Sequence, residues 1–316
     1  MTKISASSLP LRGSLPSPAK PGEGWGGGRL QLRHWAISIA SLVLFLAAWH
    51  LATAYRLDLH IRFINVPSPQ AVLLRALIAV EDPRFFEHIG MSVQRIAAGF
   101  ALAGLIAIPL GIGMGRFQTL RSLVYPVVEV LRPIPAIAWV PMSIMLWPSN
   151  EESIVFITFL GSFFPILINT LHGVTAIDPA LIRASRSLGA SEADLFRHVF
   201  LPGALPHIFT GLTVGMGVAW VSLIAAEMIS GQFGIGYFTW EAYALVQYAD
   251  IVLGMLLIGV LGLLSSGLIR LLGHLLMPWQ PRHGATKREN HFVLQPNPNL
   301  LTGNHTNYQK TTQIDT

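Results

Sequence analysis

The chain has 316 residues and a formal net charge of +5, and 52% of its residues are hydrophobic while only 12% are charged. This composition, with a mean hydropathy of +0.53, excludes an ordinary soluble domain and predicts a protein that lies in a lipid bilayer. Basic and aromatic residues are not interleaved, so the positive charge indicates membrane topology rather than nucleic-acid binding, and the absence of cysteine excludes disulfides and thiolate metal sites.

Both ends of the chain are predicted to be disordered tails. Residues 1–30 are rich in Pro, Gly and Ser, and residues 281–316 are rich in Asn, Thr and Gln, so neither segment can bury a hydrophobic core. Between the tails we assign residues 31–64 to a first membrane helix and its outer connection. Residues 65–280 then form the main transmembrane domain, which contains a polar loop at residues 174–206.

Six apolar runs between the tails approach the length of about 20 residues that a membrane-spanning helix needs. The runs cover residues 35–55, 92–114, 122–147, 153–173, 207–229 and 249–272. The third run contains several prolines and Arg132, which predicts a broken or kinked segment. Ahead of the second run, the stretch "NVPSPQAVLLRALIAV" predicts a turn and an amphipathic helix on the membrane surface. The predicted fold class is therefore an all-α polytopic membrane protein with about six transmembrane helices.

The distribution of basic residues predicts the orientation of these helices, because loops rich in Lys and Arg stay in the cytoplasm. The amino-terminal tail, the connection with Arg116 and Arg121, the 174–206 loop and the carboxyl-terminal tail all carry basic residues and fall on one side. The connections "PSNEES" and Glu227–Asp250 contain none and fall on the other side. Both termini and the 174–206 loop are therefore predicted to be cytoplasmic.

The polar loop contains the stretch "DPALIRASRSLGASEADLFRHVFLP", which predicts two short helices. The first ends at Gly189, because glycine readily adopts the left-handed conformation of a helix cap. Ser191 caps the second, with Asp194 at the capping-box position. Pro202 and Pro206 are expected to end this second helix before the fifth membrane span begins. Two short helices pressed against one face of the membrane would form a docking element.

The same segment resembles the hallmark loop of binding-protein-dependent ABC transporter permeases, whose pattern is Glu-Ala-Ala, three residues, Gly, nine residues, Ile, any residue, Leu-Pro. Five residues fall at the required spacings, while Arg183 replaces the glutamate and Ser185 the second alanine. The resemblance implies that this loop couples to an ATPase. The coupling residues that it implies are Arg183, Ala184, Ser185, Gly189, Ala190, Leu195, Phe196, Val199, Leu201 and Pro202.

Over residues 65–280, stretches such as "LRPIPAIAWVPMSIMLW" and "AWVSLIAAEM" are similar to the nitrate, sulfonate and taurine import branch of these permeases. The resemblance implies a type I importer permease of the bacterial cytoplasmic (inner) membrane. Its implied partners are a second permease chain, in a homodimer, two ABC ATPase subunits, and an extracytoplasmic binding protein that delivers a small anion. The sequence lacks the phosphate-binding G-x-x-x-x-G-K-[ST] motif, so ATP would be hydrolysed by the partner subunit and no cofactor is expected on this chain.

Three polar residues in the apolar runs are candidates for the translocation path, each with a second interpretation. Arg132 would line an anion path or extend to the lipid headgroups. Asn169 would contact substrate or hold helices together, and the second role is the commoner one in membranes. Glu227 would be a gate, a partner for an arginine, or a solvated helix end, and its position near the interface favours the last. The histidines lack metal-ligand spacing, so no metal site is predicted.

Other classes of function receive less support from the sequence. An intramembrane enzyme would need a motif such as G-x-S-x-G or H-E-x-x-H, and neither is present. A transporter driven by an ion gradient is the main alternative, and inverted internal repeats would favour it. No clear repeat is visible in the sequence.

Overall fold

The computed structural model describes residues 26–55 and 65–279, so residues 1–25 of the predicted amino-terminal tail and the whole predicted tail at residues 281–316 lie outside this range. The described chain folds into α-helices, with no strand among these residues. The first helix begins at Gly26, so the last residues of the predicted amino-terminal tail are helical. The helices are α1 Gly26–Ala54, α2 Pro69–Ala79, α3 Pro83–Arg116, α4 Gln118–Leu131, α5 Val140–Leu146, α6 Asn150–Thr175, α7 Pro179–Ser187, α8 Glu192–Leu195, α9 Leu201–Ser230, α10 Ile235–Ala244 and α11 Tyr248–Leu276.

The predicted membrane spans are confirmed by helix length and composition. Five elements are each long and apolar enough to cross a bilayer, namely α1, α3, α6, α8 joined to α9, and α11. The remaining span, third in chain order, is broken as predicted: it consists of α4 and the segment Ala136–Leu146, which meet at an angle of 86°. The break lies at residues 132–135 and includes Pro133 and Pro135, which lack the amide donors that a continuous helix requires. Pro126 stays inside α4 and Pro141 lies in the first turn of α5, where no donor is needed.

Helix α6 lies at the centre of the molecule, between α3 and α9, and glycines let it approach both. A Cβ added at Gly99 or Gly111 of α3 would lie 2.8 Å from the Cβ of Thr158 or Thr170 of α6. A Cβ at Gly211 of α9 would lie 2.8 Å from the Cβ of Asn169. Because the residue numbers rise together along α3 and α6, these two helices run parallel. Small residues that allow such close approach are the usual means of helix association in membranes.

The second helix of the polar loop does not end before the fifth span, so this part of the sequence-based expectation is wrong. Helix α8 continues through a wide turn, Phe196–Phe200, into α9, and the whole element Glu192–Ser230 has 39 residues. In the wide turn the amide of Leu201 donates to the carbonyl of Phe196, five residues earlier. Pro202 then falls in the first turn of α9, directly after this wide turn, and wide turns of this kind occur within otherwise regular helices.

The remaining helices pack around this core. Helix α1 is peripheral, and its apolar window has no buried residue. It reaches α2 through Trp49, whose indole Nε1 donates to the carbonyl of Pro67 at 3.1 Å. The predicted surface helix is α2, which is fixed to α11 by an ion pair of 2.5 Å between Arg75 and Asp250. Its exposed side is largely apolar and includes Leu73, Leu74 and Leu77, which suits contact with lipid.

Candidate functional site

The polar loop forms two capped helices joined at a left-handed glycine, as the sequence predicts. The Asp178 side chain accepts a hydrogen bond of 2.7 Å from the amide of Ala180, at the start of α7. Gly189 has a φ of +85°, and the amide of Ala190 donates to the carbonyl of Ser185 at 3.1 Å. Ser191 and Asp194 form the reciprocal capping box of α8. We call residues 178–202 the docking loop.

The docking loop is anchored by one apolar face. Leu195 and Phe200 are buried against Val174, Ala204 and Ile208 at the ends of α6 and α9. The coupling residues implied by the resemblance divide accordingly. Leu195 is buried, Ser185, Ala190, Val199, Leu201 and Pro202 are half-buried, and Arg183, Ala184, Gly189 and Phe196 are exposed. The exposed set, with Leu188 at 88% exposure, provides the surface that a partner protein can contact.

A salt bridge formed by Glu192 connects the docking loop to the end of α3. The Glu192 carboxylate forms salt bridges with Arg116, the last residue of α3, and with Arg186 of α7, the latter at 3.0 Å. The Arg116 guanidinium also lies 4.9 Å from the ring centroid of Phe200, a geometry in which a cation is attracted to the aromatic face. The loop is therefore connected both to α9, by the continuous helix, and to α3, by this carboxylate.

A cavity of about 330 Å³ lies beside the break in the third span. Two of the three candidate path residues, Arg132 and Asn169, line it, and Glu227 does not. The other walls are apolar or backbone, and they come from the break, from α6 and from α9: Ile134, Pro135, Ala136, Leu160, Gly161, Phe164, Pro165, Ile168, Val214 and Val218. The structure thus brings together two polar residues that are distant in sequence, in an otherwise apolar groove.

Both polar residues of this cavity have groups that can form hydrogen bonds with a ligand. Arg132 is paired with Glu129 at 3.5 Å, and their side chains are 47% and 40% exposed. An ion pair this long and exposed is weak, so the Arg132 guanidinium can still bind another group. The Asn169 Nδ2 donates to the carbonyl of Pro165 at 2.8 Å, which leaves its second hydrogen and its carbonyl oxygen for another partner.

Glu227 is not a solvated helix end, so that expectation is wrong. It is 0% exposed and accepts hydrogen bonds from Arg95 Nη1 at 2.9 Å, from the Ser92 hydroxyl and from the amide of Gly236. Arg95 in turn contacts Glu151, at the start of α6, and donates to the carbonyl of Phe233 at 2.5 Å. The structure therefore supports the second interpretation of Glu227, a structural partner for an arginine. We call Ser92, Arg95, Glu151 and Glu227 the polar cluster.

The polar cluster also holds the first turn of α10. The amides of Gly234, Ile235 and Gly236 donate respectively to His88 Nδ1, the Ser92 hydroxyl and the Glu227 carboxylate, at 2.8–3.0 Å. Sequence reasoning missed Arg95, although an arginine near the start of an apolar run is itself a signal. It could not identify the partners, which lie 56 and 132 residues away in the chain.

Comparison with known proteins agrees with this architecture. Residues 107–280 match the family of binding-protein-dependent transport system inner membrane components. A putative ABC transporter permease of Methanocaldococcus jannaschii is 46% identical over 56% of this chain and 67% of its own length. A taurine transport system permease of Escherichia coli is 34% identical over 78% of this chain and 90% of its own length. A nitrate import permease of Synechocystis is 34% identical over 68% of this chain and 81% of its own length.

These matches favour an ABC permease over a transporter driven by an ion gradient, which the sequence had left as the main alternative. The match covers the docking loop, the broken span and the cavity together, so it concerns the parts of the fold described above. The chain belongs to the family of binding-protein-dependent transport system inner membrane components, and it is the permease subunit of an ABC importer.

Proposed function

We propose that this permease conducts a small anion of the nitrate, sulfonate or taurine type, with its docking loop and both termini in the cytoplasm. The observation that carries the proposal is the cavity beside the broken span, which Arg132 and Asn169 both line. Arginine stays charged when partly buried and binds oxyanions through its planar fork of donors. No acidic residue is among the residues that line this cavity.

The size of the cavity also suits a small solute. Its volume of about 330 Å³ lies at the lower end of the range of roughly 300–1,000 Å³ for ligand pockets. Relatives are named for taurine and for nitrate, which are both small and carry an oxyanion group. Arg132 would attract that group, and the Asn169 amide would donate a hydrogen bond to it.

The energy would enter at the docking loop. ATP binding would close two partner ATPase subunits and displace the exposed side of the loop, which includes Leu188 and Phe196. Because α8 continues into α9, a displacement of the loop tilts the wall of the cavity formed by Val214 and Val218. The result is a shift in population between inward-open and outward-open states. Hydrolysis by the partner would reset the system.

A second permease chain would cover the cavity. Irregular backbone at membrane depth is tolerated only where protein covers it or where it lines a water-filled space. The break at residues 132–135 is such a segment, and it forms one wall of the cavity. A homodimer that buries this face would place two copies of Arg132 along one path, with the binding protein delivering the anion from outside.

Uptake by reconstituted transporter tests the proposal. Proteoliposomes containing this chain, its ATPase subunits and its binding protein would be supplied with labelled nitrate, taurine or a short alkanesulfonate. We expect ATP-dependent uptake of one of them, reduced about tenfold or more by Arg132→Gln, since a charge-assisted hydrogen bond is lost. Arg121→Gln is the matched control, because Arg121 lies on α4 over the Tyr125 ring and does not line the cavity. Full uptake in Arg132→Gln, or uptake without ATP, would contradict the proposal.

A further inference from the structure

We propose that Arg95 is a positioning residue that makes α10 move with α9, so that displacement of the docking loop reaches the extracytoplasmic face. The inference rests on the proposed function, since it concerns how the same motion is transmitted. Arg95 lies on α3, far from both the docking loop and the cavity, and it contacts three separate segments. Nothing in the transport step itself requires a buried arginine at this place.

Helices α8 and α9, with the wide turn Phe196–Phe200 between them, form one continuous helical element that connects the docking loop to the opposite end of the molecule. The element Glu192–Ser230 has 39 residues and includes the wide turn Phe196–Phe200. Glu192, at its first turn, is paired with Arg116 of α3. Glu227, at its last turn, is paired with Arg95 of the same α3. Helix α3 is therefore joined by ion pairs to both ends of the continuous element Glu192–Ser230, which favours their movement as one body.

The chain beyond α9 turns sharply, and the polar cluster fixes that turn. Gly234 has a φ of +122°, and a Cβ there would collide with the Glu227 carboxylate. A Cβ at Gly236 would lie 2.6 Å from the carbonyl of Ile224. The Arg95 guanidinium holds the carbonyl of Phe233 in the same turn. These contacts hold the first turn of α10 against the end of α9, and the hydrogen bond from Arg95 connects the same turn to α3.

The two carboxylates around Arg95 differ in exposure, and this difference gives them different roles. The side chain of Glu227 is 0% exposed, whereas that of Glu151 is 54% exposed. The buried pair is the permanent connection between α3, α9 and the turn. The exposed pair between Arg95 and Glu151 connects α6 to α3, α9 and the turn. Removal of the Glu151 charge weakens this connection, but Arg95 keeps its buried partner Glu227, so no buried charge is left unpaired.

Single cysteines provide the test, because the chain has no cysteine of its own. Leu188→Cys reports on the docking loop and Tyr243→Cys on α10, at positions that are 88% and 63% exposed. Each would carry a bimane fluorophore in the complete transporter, reconstituted in nanodiscs and trapped with ATP and vanadate. We expect trapping to change the fluorescence at both positions in the otherwise unsubstituted chain. Arg95→Gln should abolish the change at Tyr243→Cys and preserve it at Leu188→Cys.

Three comparisons decide the outcome. Arg95→Lys should restore part of the signal on α10, since an ammonium can reach one carboxylate but cannot contact all three partners. Glu151→Gln should reduce the signal, and it keeps the test valid if Arg95→Gln does not fold. Arg84→Gln, on the same helix but outside the polar cluster, is the control. A full α10 signal in both Arg95→Gln and Glu151→Gln would overturn the inference. If the Leu188→Cys chain without any further substitution shows no fluorescence change on trapping, the proposed function is overturned, and the inference with it.

Discussion

Arg95 and Glu227 lie 132 residues apart in the chain and form a salt bridge of 2.9 Å in which both side chains are shielded from solvent, at 3% and 0% exposure. Loss of one partner from such a pair leaves a charge buried without compensation, at a cost of about 3–5 kcal/mol. We therefore expect Glu227→Leu to lower the free energy of unfolding by an amount near the lower limit of this range, because Glu151 still contacts Arg95. Denaturant unfolding in detergent, followed by tryptophan fluorescence, measures the change.

The double variant Arg95→Met/Glu227→Leu is the matched comparison. It removes both charges and fills the space with apolar groups, which is often neutral or stabilising in a buried site. We expect it to be more stable than Glu227→Leu alone. Equal loss of stability in the single and double variants would mean that the ion pair is not the cause.

Glu192 is expected to matter for transport rather than for stability. Its side chain is 61% exposed, and exposed ion pairs contribute about 1 kcal/mol or less. Glu192→Gln should therefore change unfolding little, yet lower ATP-driven uptake several-fold, because the docking loop loses its connection to Arg116 of α3 and its internal pair with Arg186. Glu152→Gln, an exposed glutamate in the first turn of α6, is the control and should transport normally. Normal uptake by Glu192→Gln would show that the connection through α9 is sufficient.

Gly189 is required for its backbone conformation rather than for space. No heavy atom lies within 4 Å of the place that a Cβ would take, but the φ of +85° disfavours any L side chain. Gly189→Ala should cost about 1 kcal/mol locally, which corresponds to roughly fivefold faster amide exchange in residues 183–195. Gly189→Asn should exchange more slowly than Gly189→Ala, because asparagine tolerates this conformation. Gly217→Ala, at an open position in α9, should leave this exchange unchanged.

Close packing of α3 against α6 predicts a different effect at Gly111. An added Cβ would lie 2.8 Å from the Cβ of Thr170 and 3.0 Å from the carbonyl of Leu167, so the two helices would have to separate. Gly111→Ala should destabilise the protein by about 1–3 kcal/mol. Gly90→Ala in the same helix meets no atom within 4 Å and should be neutral or slightly stabilising. Thermal unfolding in detergent compares the two variants, and similar midpoints would contradict this packing argument.

The proposed orientation is testable with the same cysteine-free background. Leu188→Cys and Glu152→Cys lie at opposite ends of the bundle and are both exposed. A membrane-impermeant maleimide added to right-side-out vesicles should label Glu152→Cys and should label Leu188→Cys only after the membrane is opened. The reverse pattern would place the docking loop outside the cell.

Features that depend on local pattern could be predicted from the sequence. The caps of α8, the left-handed Gly189 and the broken third span all follow from a few neighbouring residues, and the structure contains them. The continuity of α8 and α9 could not be predicted from the sequence. Whether Pro202 ends the helix or is accommodated in it depends on the hydrogen-bonding pattern of the preceding turn, Phe196–Phe200, which is wide in the structure. Likewise, the burial of Glu227 depends on Arg95, and the packing of α3 against α9 has no signal in either local sequence.

The distance in sequence between Arg95 and Glu227 also governs how the protein can be made. At a synthesis rate of 5–20 residues per second, about 7–26 s separate the appearance of the two residues. Even Glu151 follows Arg95 by 56 residues. During that interval an arginine opposes insertion of its helix, by about 2.5–3.5 kcal/mol if it were at the bilayer centre. The buried arginine of α3 therefore gains its buried partner, and the three-helix core closes, only after α9 has been synthesised.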